Sequence, residues 1–222
     1  MKNETITDFD RQTLTVKNES ITVELFFERN KNQLEYHNQN SYDKVIELNE
    51  VSNWTSEVNV KIIFPTKTQK VLIRGIDGGL YLHSAEENEN SYSVKLIENE
   101  IIFSLGFTFF CFDIIEQKIK WKIRPDIAEV FEFYDLQDDF LVRGELAIHR
   151  IDKNGKIKWS YGGRDIWVNI EGKREVQIID NKIYLTDFEN NEYVINFDGQ
   201  TLEDKPKINN QNKTINKWWK FW

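Results

Sequence analysis

Residues 138–161 read DDFLVRGELAIHRIDKNGKIKWSY. An acidic start leads into an apolar strand, a short turn and a second apolar strand, and a Lys-Asn-Gly-Lys turn then precedes a third strand with Trp159. Two more segments follow this order: NEIIFSLGFTFFCFDIIEQKIKWKI (99–123) and NKIYLTDFENNEYVINFDGQTLED (181–204). The first two segments share K-I-K-W, which places Trp121 and Trp159 38 residues apart. The sequence therefore contains a repeated strand–turn–strand unit.

A repeat of about 40 residues with about four short strands is typical of a β-propeller blade, because a meander has an apolar face that only a neighbouring unit can cover. We therefore predict an all-β fold, a β-propeller-like array of antiparallel meander units with a β-rich N-terminal element. The segment KVLIRGIDGGLYLHS (70–84) is interpreted as a shortened copy, with a hairpin at its Asp-Gly pair. The strongest helical pattern lies in residues 41–54.

Three parts of the chain follow from this pattern. Residues 1–66 match the repeat poorly and are predicted to form an N-terminal β element or a first blade, residues 67–206 form the propeller-like repeats, and residues 207–222 form a Trp-rich tail. The tail ends in INKWWKFW (215–222). It has three interpretations: it docks on the protein's own sheets and covers an edge, it inserts into a partner's groove, or it lies at a membrane interface.

A pattern of Asp, Gly and Trp recurs, complete or in part, around the turn before the last strand of each unit. The corresponding residues are Asp113, Gln117 and Trp121 in the first unit, Asp152, Gly155 and Trp159 in the second, and Asp198 with Gly199 in the third. This pattern resembles the D-x-x-x-G-x-x-x-W repeat of quinoprotein-type propellers, which are related to pyrroloquinoline-quinone dehydrogenases. The first unit has Gln in the glycine position, the second has one residue fewer before its glycine, and the third lacks the Trp. The similarity covers about residues 68–206.

The resemblance implies an architecture rather than an activity. Enzymes of this family would need some six to eight blades, a secretion signal and ligands for a quinone and calcium, and none of these is visible in the sequence. At this period a chain of 222 residues supplies about five blades. In this respect the chain is similar to the non-catalytic, partner-binding members of the wider group.

The charge of the chain favours a protein partner over a nucleic acid. The formal net charge is −8, so phosphates are repelled, whereas a basic protein would be attracted; simple solubility is the alternative explanation. The N-terminus lacks the apolar core of a signal peptide, and no run of about 18 apolar residues occurs. We therefore expect a cytoplasmic protein with no membrane span.

The segment YGGRDIW (161–167) combines two glycines with the residue types that carry binding hot spots. If it crosses between two blades, its side chains are exposed at the rim of the array; the alternative is an Arg–Asp pair that holds adjacent blades together. The acidic stretch 84–92 is either a partner-facing loop or simply a solvated one. The candidate partner-binding residues are Tyr161, Arg164 and Trp167, with Glu86, Glu87 and Glu89 of the acidic stretch.

No catalytic, cofactor or metal site is predicted. The three histidines, His37, His83 and His149, lie in separate segments without metal-ligand spacing, and no hydrolase, zincin or P-loop motif occurs. The single cysteine, Cys111, lies in an aromatic run, where burial suppresses the reactivity of a thiol, and it has no disulfide partner. We therefore expect neither an enzyme nor a cofactor.

Two functions from different classes remain, beside a third, structural possibility: a cell-surface or membrane-associated module held by the Trp-rich tail. The first is a non-enzymatic, cytoplasmic protein-binding module, in its sharper form a bacterial immunity protein that neutralises a toxin. The alternative is a small-ligand-binding or hydrolytic protein that uses a carboxylate-lined central channel. The carboxylates proposed for that channel are Asp113, Asp152 and Asp187.

Overall fold

The computed structural model describes residues 11–28, 41–52, 55–85 and 90–207. By its contacts the chain divides into two compact units, Met1–Tyr161 and Gly162–Trp222. The regular structure of the described residues consists of β-strands, and the prediction of an all-β, propeller-like array of meander units is confirmed. None of these residues belongs to a helix long and apolar enough to cross a membrane.

The first unit begins with a five-stranded sheet, in the order β1-β2-β4-β5-β3. The strands are antiparallel except for β3, which pairs in parallel with β5. They are β1 (Arg11–Lys17), β2 (Thr22–Glu28), β3 (Lys44–Glu47), β4 (Ser56–Ile63) and β5 (Thr68–Ile76).

Residues 41–54 have the strongest helical pattern in the sequence, but the described part of this segment contains the strand β3 at Lys44–Glu47. Val45 and Ile46 pair with the buried centre of β5, and the Asp43 carboxylate accepts a hydrogen bond from the Lys70 amide at 2.7 Å. Ile46 and Leu48 enter the core as alternate residues of an extended chain. The apolar positions therefore follow the period of a strand. In a segment this short, that pattern cannot be told from one face of a helix.

Three four-stranded meanders follow, each with its strands in sequential order. The second sheet contains β6 (Val94–Ile97), β7 (Glu100–Leu105), β8 (Thr108–Asp113) and β9 (Lys118–Ile123); the third contains β10 (Val130–Leu136), β11 (Asp139–Gly144), β12 (Ala147–Ile151) and β13 (Ile157–Gly162). The fourth sheet, in the second unit, contains β14 (Val176–Ile179), β15 (Lys182–Thr186), β16 (Glu192–Asn196) and β17 (Thr201–Lys205). The three segments aligned by sequence are thus the centres of three successive meanders.

The hairpin expected around Asp77-Gly78 is wrong, because residues 77–85 contain no strand. The side chain of Gln12 takes the place of a neighbouring strand. Its amide nitrogen donates to the Leu80 carbonyl at 2.9 Å, and its amide oxygen accepts from the Leu82 amide at 2.7 Å. Leu80 and Leu82 are nevertheless buried. The Leu80 carbonyl and the Leu82 amide are therefore satisfied without a β-ladder.

The second sheet is buried on both of its faces. On β8, Phe110 and Phe112 belong to the core shared with the first sheet, whereas Phe109 and Cys111 belong to the core shared with the third. Because successive residues of a strand point to opposite faces, this alternation places one sheet between two others. The continuous apolar run 109–112 reflects that double burial.

Trp121 of β9 closes the junction between the second and third sheets. Its indole N–H donates to the Lys153 carbonyl at 2.7 Å, and its ring packs against the core shared by these two sheets. Lys153 lies in the turn that contains Asp152 and Gly155, where Gly155 has φ +79°. The Trp of one repeat therefore contacts the turn of the next.

Candidate protein-binding face

Trp167 is fully buried within the second unit, so its predicted exposure at the rim is wrong. Its indole ring meets Tyr193 edge to face, with ring centroids 5.5 Å apart. Gly163 lies so near that a side chain on it would come within 2.9 Å of the ring. The aromatic residue after the glycine pair is therefore part of the core of the second unit and is not a surface anchor.

Arg164 is exposed, but its guanidinium is held inside its own unit. It makes two hydrogen bonds to the Asp204 carboxylate, at 2.6 and 2.7 Å, and lies over the Tyr193 ring. An Arg–Asp pair is therefore present, but its acid is Asp204 on β17 rather than the adjacent Asp165, and both residues belong to the second unit. Both carboxylate oxygens are engaged, which leaves this arginine fork little free capacity for a partner.

Tyr161 is half-buried at the end of β13 in the first unit. β12 and β13 are consecutive neighbours joined by a tight turn, so β13 ends on the side of the third sheet where β12 begins. The proposed acidic residues Glu86, Glu87 and Glu89 and the tail 215–222 lie outside the described residues.

The exposed apolar residues near that edge come from loops that the sequence did not single out. Ile127, in the connection from β9 to β10, is 82% exposed, and Leu146, in the turn from β11 to β12, is 39% exposed. Phe107 lies in the turn between β7 and β8. We call the surface formed by residues 106–107, 124–129 and 144–146 the turn face.

Backbone hydrogen bonds join the three segments of the turn face. The Val130 amide donates to the Gly106 carbonyl at 2.7 Å, and the Glu145 amide donates to the Glu129 carbonyl at 2.9 Å. The Glu129 carboxylate in turn accepts from the Gly79 amide at 2.7 Å. The loops are therefore cross-linked to one another as well as to their sheets.

Asp126 is the side chain that fixes the turn face. It is buried, and its Oδ2 accepts hydrogen bonds from the Leu146 and Ala147 amides at 2.9 and 3.0 Å. A Cβ on Gly144 would approach that oxygen to 2.5 Å, so the turn can approach the carboxylate only with glycine there. The exposed Leu146 is thus held by a buried anion one loop away.

Two arginines of the first unit lie over aromatic rings, and one of them, Arg124, belongs to the turn face. Arg124 lies 4.3 Å from the centroid of Phe107, and Arg143 lies 4.7 Å from that of Phe131. Arg124 also donates to the Ile127 carbonyl at 3.2 Å. Arg124 therefore places on this cross-linked face a residue type that is enriched in binding hot spots.

Two groups of side chains have the composition of a hydrolytic triad, but neither has its geometry. In the first, the Ser91 hydroxyl lies 3.4 Å and the Glu132 carboxylate 3.7 Å from one and the same nitrogen, Nε2 of His83. A relay needs the hydroxyl and the acid on different ring nitrogens. Glu132 also accepts from Tyr134 at 2.5 Å and from Arg143 at 2.8 Å, so this buried cluster is a structural network.

In the second group, Ser160 Oγ lies 2.8 Å from Nδ1 of His149, and Asp126 Oδ2 lies 3.8 Å from Nε2. The last distance is too long for a hydrogen bond, and the carboxylate already serves the 144–147 turn. Burial lowers the pKa of His149 although Asp126 opposes this effect, so the ring is neutral at pH 7. This group of side chains therefore fixes a loop and does not activate the Ser160 hydroxyl.

The three carboxylates suggested for a central channel all serve their own turns. Asp113 accepts from the Ile115 and Glu116 amides, and Asp152 accepts from the Asn154 and Lys156 amides. Asp187, in the second unit, is fully buried and accepts from Asn191 and Tyr193. These hydrogen bonds account for the carboxylates without a ligand.

The sequence did not reveal the turn face, because its signal is weak. Ile127 and Leu146 are single apolar residues in polar loops, a pattern that is ordinary on protein surfaces. Asp126 could be found only through its contact with a turn 20 residues away. The one available sign was Arg124-Pro125-Asp126, which marks the end of β9.

No family model matches the sequence. No curated protein matches it either. Among solved structures, it is similar to the computationally designed Ika8 protein (12% identity, TM-score 0.45, 86% of this chain), AztD from Citrobacter koseri (14%, 0.42, 87%) and the β-propeller domain of Cps50 from Myceliophteria thermophila (8%, 0.40, 71%). The chain spans 60%, 58% and 58% of their lengths, respectively.

Proposed function

We propose that this protein is a non-enzymatic protein-binding module and that the turn face is its binding surface. The observation that carries the proposal is the pair Ile127 and Leu146: both are exposed, yet both belong to loops that the buried Asp126 holds together. A partner that covers them gains apolar burial without having to order a loop, which removes a major cost of association.

The residues around this pair set what the partner offers. Arg124 and Phe107 supply a stacked cation and ring, and the chain as a whole carries a net charge of −8. We propose a partner that is basic overall and has an apolar projection to cover Ile127 and Leu146. The acidic stretch with Glu86, Glu87 and Glu89 remains part of this proposal as a region that accelerates encounter with a basic partner.

We further propose that the repeats are of the quinoprotein type, without the catalytic function. The contact of Trp121 with the Asp152–Gly155 turn supports this, because at this junction it brings the Trp of one repeat onto the Gly of the next. The structural roles of the His83 and His149 clusters support the proposal that the protein is not an enzyme.

In its sharper form the proposal is that the protein acts in the cytoplasm of a bacterium as an immunity protein against a toxin. A rigid binding face on a chain with a net charge of −8 suits the rapid capture of a basic enzyme. The assignment predicts that the partner, produced alone, stops growth, and that co-production of this protein restores it.

The test is affinity purification from the organism that makes the protein, using tagged wild type and the double variant Ile127→Asp, Leu146→Asp. Ile115→Asp is the matched control, because Ile115 is 61% exposed in the turn between β8 and β9. We expect one protein to be recovered with wild type and with the control but not with the double variant. Recovery of the same protein with all three baits would show that the turn face is not the binding surface.

A further inference from the structure

We propose that His149 is a proton-operated switch for the turn face: when its imidazole takes up a proton, the Asp126 carboxylate turns toward it and releases the turn that presents Leu146. The switch is a regulation of the binding surface proposed above and gains its function from that proposal. Its mechanism, however, belongs to the unbound protein and can be observed there.

A ring nitrogen of His149 that makes no hydrogen bond within the described part of the chain lies beside a carboxylate oxygen of Asp126 that already accepts two. Nε2 of His149 is buried, makes no hydrogen bond to any described residue, and lies 3.8 Å from Asp126 Oδ2. That oxygen already accepts from the Leu146 and Ala147 amides. A carboxylate oxygen has about two lone-pair positions, so a third, charged donor must compete with the two amides.

Protonation creates that third donor. In the imidazolium both ring nitrogens carry a proton: Nδ1 faces Ser160 Oγ at 2.8 Å, and Nε2 faces Asp126. A charged N–H···O⁻ bond is shorter and stronger than an amide bond to the same oxygen. The carboxylate therefore moves about 1 Å toward the ring, to reach the distance of such a bond, and the 144–147 turn loses its anchor.

Among the described residues around the His149 ring, Asp126 is the charged group that lies nearest to it without another charged partner. On β11 the residue opposite His149 is Val142, which is apolar, and β13 contributes the Ser160 hydroxyl. The neighbouring cations Arg150 and Lys158 both pair with Asp139. The connection from β9 to β10 contributes Asp126 itself.

The pH range follows from the environment of the ring. Burial lowers the pKa of His149 below its ordinary 6.5, and the nearby Asp126 raises it in part. The pKa of the ring therefore lies below its ordinary value, so the ring is neutral at pH 7.5 and takes up its proton only on acidification. Acidification through that range should open the turn face while the sheets remain folded.

The test is amide hydrogen exchange on the unbound protein at pH 7.5 and pH 5, expressed as protection factors so that the intrinsic pH dependence of exchange is removed. We expect the protection of the Leu146 and Ala147 amides to fall by about fivefold or more at pH 5, while Leu141 and Val142 of β11 keep theirs. In His149→Gln the two amides should have the same protection at both pH values. His83→Gln, at the other buried histidine, should still show the fall.

Equal protection of the Leu146 and Ala147 amides at both pH values in wild type, or an undiminished fall in His149→Gln, would overturn the switch. If His149→Gln does not fold, the chemical shift of the His149 ring in wild type provides the second test: it must titrate below pH 6.5, together with the Leu146 and Ala147 amide shifts. Separate midpoints would also overturn it. A protein that shows the switch but binds no partner would instead refute the proposed function.

Discussion

The indole of Trp121 lies directly on Gly155: a Cβ built on this glycine would be 2.7 Å from Cε3 and 2.8 Å from Cδ2 of the ring. One residue belongs to the last strand of the second sheet and the other to the last turn of the third. Together with the bond from the indole to Lys153, this contact joins consecutive repeats through the residues that recur in the sequence.

Replacement of Gly155 by Ala tests that contact. The substitution adds a clash with the Trp121 ring to the strain of a left-handed backbone at φ +79°, so we expect a loss of about 2–4 kcal/mol in unfolding free energy. Gly172→Ala is the matched control, because Gly172 has φ +78° and no atom within 4 Å of its Cβ position. It should cost about 1 kcal/mol by denaturant titration of its own unit. Equal losses would mean that the indole contact contributes nothing.

Cys111 should be unreactive in the folded protein. Burial, followed by the charge of Glu100, raises the pKa of its thiol to about 12, so almost no thiolate is present at pH 8. We expect iodoacetamide to modify it only after denaturation, as followed by mass spectrometry. Labelling of the native protein at the rate of a free thiol would contradict the buried position between the second and third sheets.

Glu132 should make stability depend on pH at the acid end. Burial alone would raise the pKa of Glu132, but Arg143 and the hydroxyls of Tyr134 and Ser91 bring it below its ordinary 4.5. A lowered pKa in the folded state means that the stabilisation is complete above pH 4.5 and is lost as the pH falls below it.

The corresponding variant is Glu132→Gln, which leaves the Arg143 guanidinium without its buried anion. We expect a loss of about 2–4 kcal/mol at pH 7 and a weaker dependence of unfolding free energy on pH below 4.5. Glu24→Gln, which breaks the exposed pair with Lys61, is the control and should change little. A wild-type slope that persists in Glu132→Gln would assign the acid sensitivity to other carboxylates.

Variants of Trp167 and Arg164 should show how much buried packing and an exposed ion pair each contribute to the stability of the second unit. Trp167→Ala removes a fully buried ring and should cost about 3–5 kcal/mol, enough to unfold this unit at moderate temperature. Arg164→Ala breaks an exposed pair with Asp204 and should leave the melting temperature of the unit within error. Circular dichroism melts of the two variants measure this difference. An unchanged melting temperature in Trp167→Ala would contradict the burial of its ring against Tyr193.

The repeat was predictable because its signals come from residues that are close together in the sequence. Alternating apolar residues, the turn at Gly155 and the spacing of Trp121 and Trp159 are all local signals, and they identified the centres of three meanders. The first sheet was harder, because β3 pairs in parallel with β5 across a long connection. Gln12 shows the same limit: its replacement of a strand beside Leu80 depends on a contact across 68 residues.

The binding surface was less predictable, since exposure depends on packing that no local pattern records. Trp167 and Arg164 have the composition of an anchor site, but Tyr193 and Asp204 engage them within the second unit. Conversely, Ile127 and Leu146 are inconspicuous in the sequence and become notable only because Asp126 holds their loops together.

The most direct test of the turn face as the binding surface is its hydrogen-exchange footprint in the purified complex. Binding should protect residues 106–107, 124–129 and 144–147 and leave the turn around Ile115 at its unbound exchange rate. Protection confined to the Ile115 turn or to other strands, with the turn face unchanged, would show that the partner does not bind the turn face.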